Sequence, residues 1–305
     1  MKSDKIIIGT RGSQLALCQA EWVRKELRRF TAVPIIIKKI KTKGDKMISL
    51  SLIKNEGKGL FVTDIENELK SGKIDLAVHS LKDMPIEIPN GLAISAIPKR
   101  ADPHDVLVSR NNLTLSKLPR NAVVGTSSLR RKAQIRRHRP DLKLVDIRGN
   151  VDTRLKKLDR GEYDAIVMAA AGLIRLGVSH RVSQIIPWKI CFPAVGQGAL
   201  AIETRKYDKR INELVNRLNH KESRLAAFAE RSLLEGLGGG CQMPLGAISE
   251  IRHKRLKLQG LIISLNGKRI IKGSISGPIE KSAEMGAMLA KQLLNKGAGK
   301  ILESL

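Results

Sequence analysis

At 305 residues the chain suits two or three domains rather than one, and 42% hydrophobic residues with only 3% aromatics require cores of Ile, Leu, Val and Ala. Three widely spaced cysteines, Cys18, Cys191 and Cys241, exclude a disulfide framework and fit a reducing, cytoplasmic setting; neither a zinc-ligand spacing nor an apolar run of roughly 18 residues is present. The net charge of +27 points either to a polyanionic partner or to solvated lysine faces.

Met1-Lys2-Ser3-Asp4-Lys5 runs straight into the strand-like Ile6-Ile7-Ile8, so no signal-peptide pattern is expected. The segment Ile7-Ile8-Gly9-Thr10-Arg11-Gly12-Ser13-Gln14-Leu15-Ala16 reads as a short strand, a Gly-Thr turn and a helix start. Gly72–Val78 then reads as a turn followed by a buried strand. Both features recur in the same order, as Val123-Val124-Gly125-Thr126-Ser127-Ser128-Leu129-Arg130-Arg131 and as Gly161–Val167. The repetition predicts two similar α/β halves with mostly parallel sheets. The chain is expected to cross between halves near Pro98–Pro103, and to return near Phe192–Gly198 into a strand at Ala199–Glu203. Past this point Glu222–Leu234 is helical in pattern, Leu256–Ile263 and Arg269–Ile275 are strand-like around an Asn266-Gly267 hairpin signal, and Ser282–Leu294 is helical again. The expected division is residues 1–98 with 199–217 as one α/β domain, 103–192 as a second, and 220–305 as a small α+β domain.

Ligands of open α/β sheets bind beyond the carboxyl ends of the strands. Asp83, in His79-Ser80-Leu81-Lys82-Asp83-Met84-Pro85, falls at such an end. It reads as an acid/base or cation-stabilising carboxylate, with a turn-capping aspartate as the plainer alternative. Arg130 and Arg131 stand in the first turn of a helix, against its dipole, which implies an anion shared between them and the helix start. Arg148, Arg154 and Arg175 follow other predicted strand ends or helix starts, and guanidinium groups suit carboxylates. By contrast, Arg136-Arg137-His138-Arg139 reads as a solvated charge run and Cys191 as a structural thiol. Cys241, in Leu237-Gly238-Gly239-Gly240-Cys241-Gln242-Met243-Pro244, is presented on a glycine loop with no partner histidine in that loop.

The segments Gly9–Ala16, Gly57-Lys58-Gly59-Leu60-Phe61, Ala77–Pro85, Val124–Arg131, Arg148-Gly149-Asn150, Pro193–Gly198 and Gly239-Gly240-Cys241-Gln242 together resemble the porphobilinogen deaminase family. They occur in family order across nearly the whole chain. The resemblance implies three domains, the first two like the halves of periplasmic binding proteins. It implies a transferase that condenses four porphobilinogen molecules head to tail, with loss of ammonia, and releases hydroxymethylbilane. One dipyrromethane cofactor per chain, held to Cys241 by a thioether, is implied as the primer. Asp83 is implied as the catalytic carboxylate, assisting ammonia loss, stabilising the azafulvene cation and helping remove the proton after the next attack. Lys82, Ser128, Arg130, Arg131 and Arg148, with Ser80 and Thr126 nearby, match the positions that hold cofactor carboxylates. Arg11, Ser13, Arg154 and Arg175 match the substrate-side contacts, and Lys58 the mobile lid. A monomer without nucleic-acid or membrane partners is implied. Asn55-Glu56 before Gly57 and Gly238 before the Gly-Gly-Cys depart from the common pattern.

The residues by themselves also allow a non-catalytic two-lobed anion-binding protein, which leaves the Cys241 loop and the third domain without a purpose. On charge alone they allow a nucleic-acid binder, but aromatic interleaving and docking motifs are lacking.

Overall fold

The computed structural model describes residues 5–42, 62–240 and 243–304. In chain order its strands and helices are β1 (Ile6–Arg11), α1 (Gln14–Leu27), β2 (Ile35–Ile40), α2 (Thr63–Lys70), β3 (Leu76–Ser80), β4 (Leu92–Ala96), β5 (Asp105–Ser109), β6 (Val123–Gly125), α3 (Leu129–His138), β7 (Lys143–Val145), α4 (Val151–Asp159), β8 (Ala165–Ala169), α5 (Ala170–Arg175), β9 (Gln184–Ile185), β10 (Leu200–Arg205), α6 (Lys209–Asn216), α7 (Lys221–Gly236), β11 (Leu245–Arg252), β12 (Arg255–Ile263), β13 (Ile270–Pro278), α8 (Ser282–Asn295) and α9 (Ala298–Leu302). They group into two compact units, residues 1–100 with 199–224, and residues 101–198 with 225–305.

The first unit holds a sheet of order β2-β1-β3-β10-β4. β1 pairs in parallel with β2 and β3, while β10 runs antiparallel to both β3 and β4. β10 is therefore the one reversed strand. Period-two alternation sends side chains to two helical layers. Ile6, Ile8, Leu76 and Val78 pack with Ala20, Val23 and Leu27 of α1 and with Ile211 and Val215 of α6. Ile40, Ala77 and Leu92 pack with Ile65 and Leu69 of α2.

The second unit repeats the plan as β7-β6-β8-β5-β9, with β6 parallel to β7 and β8 and with β5 reversed. The repetition extends to single hydrogen bonds. Asp75 donates its N–H to the Ile7 carbonyl and accepts the Ile7 N–H on Oδ2, both at 2.8 Å. Asp164 does the same with Val123, at 2.9 and 2.7 Å. Each aspartate thus sets the register of a central strand, which is why Gly72–Val78 and Gly161–Val167 look alike. The expectation of two similar, mostly parallel α/β halves holds, and each half adds one reversed strand.

The second unit also carries a three-stranded antiparallel sheet, β11-β12-β13. It is covered on one face by α8 and α9, with Leu256, Leu258 and Ile262 against Leu289, Leu293 and Ile301. The Asn266-Gly267 turn joins β12 to β13 as read from sequence, with Gly267 at φ +74°. β11 was not foreseen. Its turn to β12 uses His253 and Lys254, both with positive φ (49° and 58°), and neither residue signals such a turn. Arg136, Arg137 and His138 are exposed, as the reading of a solvated run expects, and Arg139 is half-buried. Arg136 donates to the Leu265 carbonyl at 2.7 Å, and Arg137 donates to the Gly267 and Lys268 carbonyls at 3.1 and 3.2 Å. Arg139 donates to the Leu115 carbonyl and pairs with Asp141. The C-terminal end of α3 is thereby fastened to the small sheet.

The segment that returns the chain is close-packed. The Ala101 N–H donates to the Gly198 carbonyl at 3.2 Å. Gly198 has φ +87°, and a Cβ there would sit 2.4 Å from the Ala101 carbonyl oxygen. Gly198→Ala is expected to cost about 2–3 kcal/mol through left-handed backbone strain and this clash. Urea unfolding of folded variant and parent tests it; equal midpoints and slopes would refute the packing argument.

Candidate active site

In the first unit the parallel strands β1 and β3 end side by side. Arg11 closes β1, and the chain turns into α1 through Ser13, whose Oγ accepts the Ala16 N–H at 3.3 Å and caps the helix. Thr10, fully buried, donates its hydroxyl to the Ala16 carbonyl at 3.2 Å. β3 ends at Ser80, whose Oγ accepts from Gln19 Nε2 at 3.1 Å. A 3-10 turn follows at Leu81–Asp83. Leu81 and Met84 are buried, and the Leu81 N–H donates to the Ala199 carbonyl at 3.0 Å. The turn is therefore anchored by its apolar residues, with Lys82 half-buried and Asp83 exposed. Among the described residues no hydrogen-bonding or ionic partner takes the Asp83 carboxylate.

Beneath this turn lies a polar group that sequence reading missed. His79 Nε2 and Glu203 Oε2, both buried, are 3.1 Å apart. Glu66 of α2 is buried too. Its carboxyl is pushed above its ordinary range, first by burial and then by the Glu203 charge, against a lowering pull from His79. The signal was available: Glu203 is a lone acid inside the apolar strand Leu200-Ala201-Ile202-Glu203.

In the second unit β6, β7 and β8 are the corresponding parallel strands. After β6 come Thr126, buried, and Ser128, which caps α3 by accepting the Arg131 N–H. The Ser127 hydroxyl donates to the Ile147 carbonyl at 2.8 Å, joining this turn to the segment after β7. Arg148, in that segment, is exposed. Arg154 donates Nε to the Gly149 carbonyl at 2.8 Å. Arg175, ending α5 after β8, donates to the Gly198 carbonyl at 2.7 Å. Thus Arg11, Ser13, Ser80, Lys82 and Asp83 gather at the strand ends of the first unit. Thr126, Ser128, Arg148, Arg154 and Arg175 follow the equivalent ends or helix start of the second. Lys58 and Cys241 lie outside the described residues. Leading to Cys241, Gly238 and Gly239 both have positive φ, 87° and 48°.

Arg130 and Arg131 turn to a buried carboxylate of the chain itself. They are only 4% and 6% exposed, and both turn to Asp105, which is 0% exposed. Arg130 Nη1 donates to Asp105 Oδ2 at 2.6 Å, and also to the Phe192 carbonyl. Arg131 donates Nε and Nη2 to Asp105 Oδ1 at 2.9 and 2.6 Å, and Nη1 to the Val167 carbonyl at 3.1 Å. Gln197 Nε2 adds a further bond to Oδ1 at 2.9 Å, and Cys191 Sγ donates to Oδ2 at 3.3 Å. The anion implied by arginines at a helix start is here supplied from within. Asp105 reaches it because β5 is the reversed strand: its first residue pairs with Ala169, the last of β8. Burial would raise the Asp105 carboxyl, but the two guanidiniums overcome it and hold the group well below the carboxylate range. Burial, with the Asp105 charge, pushes the Cys191 thiol up to about 12.

One carboxylate against two guanidiniums leaves a net positive charge at this strand-end edge. Together with the exposed Arg148 and the capped start of α3, the donor set fits a ligand bearing several carboxylates. Each α/β unit thus carries charged side chains at its own strand ends, an exposed carboxylate in the first and cations in the second. The family model described as "Porphobilinogen deaminase, dipyromethane cofactor binding domain" matches residues 6–213, and "Porphobilinogen deaminase, C-terminal domain" matches residues 224–295. A Desulforudis audaxviator protein named porphobilinogen deaminase is 48% identical over 299 residues, covering 98% of this chain and 97% of that one. A Pelotomaculum thermopropionicum protein of the same name is 46% identical over 300 residues, covering 98% and 96%. Among solved structures, a putative methionine-binding lipoprotein from Bacillus subtilis is similar with a TM-score of 0.45 at 12% identity, covering 73% of this chain and 93% of that one. The chain belongs to the porphobilinogen deaminase family. It is a transferase that polymerises four porphobilinogen molecules into hydroxymethylbilane for tetrapyrrole biosynthesis, and it uses a dipyrromethane cofactor.

The Cys191 geometry yields a test. The native fold favours the neutral thiol, so this stabilisation is full below the unfolded thiol pKa of about 8.5 and is lost as pH rises toward 12. Thiolate is the reactive form, so at pH 9 native Cys191 is expected to alkylate at least about a hundredfold more slowly than in urea. Peptide mass mapping after iodoacetamide measures this; equal rates would show that the thiol is not enclosed.

Proposed function

We propose that Asp83 is the catalytic carboxylate of this transferase. The observation that carries the reading is an exposed carboxylate on a turn anchored by Leu81 and Met84 at the end of β3. Ammonia leaves the aminomethyl carbon of porphobilinogen, and positive charge develops on the pyrrole. A fixed carboxylate at the pyrrole N–H stabilises that charge in the transition state. The same group then takes part in removing the ring proton after the next pyrrole attacks.

Each pyrrole brings an acetate and a propionate, and buried anions need paired donors. Arg11, Ser13, Arg154 and Arg175 serve the incoming substrate in this reading. Ser80, Lys82, Thr126, Ser128, Arg130, Arg131 and Arg148 hold the cofactor. Arg130 and Arg131 act from within: among the described residues the bonds of Arg130 to Asp105, Cys191 and Phe192 use only Nη1, which leaves its other N–H groups for a ligand. The dipyrromethane, when bound, supplies the pyrrole end on which the product grows. Cys241 holds it through a thioether, one per chain, which removes the entropy of rebinding the primer. Lys58 belongs to a lid over the site. The division into residues 1–98 with 199–217, 103–192 and 220–305 gives the carboxylate, the arginines and the anchor to three domains. The protein acts as a cytoplasmic monomer without nucleic-acid or membrane partners.

Two measurements test this reading. Intact chain from cells that make porphobilinogen is expected to exceed its sequence mass by one dipyrromethane, and Cys241→Ser to lose that excess. A bare sequence mass in the parent chain would sink the anchor assignment. Asp83→Asn is expected to keep the added mass but lose about 10²–10⁴-fold in turnover, the usual scale for acid/base groups. Near-parental turnover would remove Asp83 from its role.

A further inference from the structure

Asp105 takes no part in the chemistry above, yet it receives five donor contacts from four side chains in a fully buried position. We propose that Asp105 is a positioning residue that stands in for a ligand carboxylate, holding Arg130 and Arg131 folded and aligned before the dipyrromethane is acquired. The inference rests on the reading that these arginines serve the cofactor.

Two buried guanidiniums one residue apart would repel each other and, without an anion, would be drawn out to water. A chain that must fold before it holds its cofactor cannot use cofactor carboxylates for this purpose. Asp105 supplies the counter-charge from the reversed strand, bridging Arg130 on one oxygen and Arg131 on the other. The bridge is incomplete by one charge, so the pair keeps its attraction for an arriving anion. Gln197 extends the arrangement. Its Nε2 donates both to Asp105 and to the Pro103 carbonyl at 2.7 Å, and it directly precedes Gly198, whose carbonyl receives Arg175. The carboxylate therefore links the cofactor-side arginines to the segment that holds a substrate-side one. Pro103, Asp105 and Gln197 all belong to the second unit, so the link is set when that unit folds.

The test uses the full chain from cells unable to make porphobilinogen. Phenylglyoxal modifies accessible guanidinium groups, and peptide mass locates them. Arg130 and Arg131 are expected to react at least about tenfold more slowly than the exposed Arg148; comparable rates would overturn the proposal. Porphobilinogen is then added and the gain of one dipyrromethane mass is followed in time. Asp105→Asn is expected to gain that mass at least about tenfold more slowly, with Arg131 as reactive as Arg148. Parental rates in a folded Asp105→Asn chain overturn it. Circular dichroism checks the fold, and where Asp105→Asn does not fold, Gln197→Ala decides. It removes one donor to Oδ1 and leaves both ion pairs, so Arg131 reactivity is expected to rise and mass gain to slow by about threefold or more. No change in either overturns the proposal. A parent chain that gains no mass overturns the anchor assignment instead, while the arginine map still decides whether Asp105 holds the pair.

Discussion

Taking a carboxylate out of water costs several kcal/mol, and taking two guanidiniums with it costs more. The second unit accepts that cost at Asp105, Arg130 and Arg131, and much of its arrangement is arranged around the result. Both turns that bound the site converge there: the start of α3 through its arginines, and the returning segment through Gln197, Cys191 and Phe192. A buried ion cluster is poor evidence for stability, since apolar side chains of the same volume often do as well. Its value lies in what it preserves. Two cationic groups stay near the strand ends without an external anion, and a third side chain, the Cys191 thiol, is kept protonated beside them.

The reversed strand makes this possible. In each sheet three neighbouring parallel strands deliver their C-terminal ends to one edge, where ligands of α/β sheets bind. A reversed strand brings its opposite end to that edge, so β5 contributes Asp105 beside the end of β8. In the first sheet β10 takes the equivalent place, and Glu203 from it meets His79 of β3 beneath the Asp83 turn. Each half thus sets an acid of its reversed strand against a nitrogen-bearing side chain of a neighbouring element.

The repeat was legible because Asp75 and Asp164 perform the same local task, and local tasks leave local signatures. The Gly-Thr helix starts were legible for the same reason: Ser13 and Ser128 are both helix caps. Arg136 and Arg137 are exposed as a charge run suggests, but the carbonyls they reach lie 129 and 130 positions away and leave no local signature. Strand β11 was missed because His253 and Lys254 adopt left-handed backbone without glycine or asparagine to announce it.

From the sequence alone came the two α/β halves, the strand-end placement of Asp83 and Arg148, and the family, since these rest on short contiguous segments in a set order. The partners of Arg130 and Arg131 were another matter. Asp105 lies 25 and 26 positions away and opens an apolar strand whose direction no local pattern reveals. Cys191 and Gln197 join it from still farther along the chain. Only the order and sense of the strands decide which side chains share a buried volume, and desolvation then decides which of them must pair.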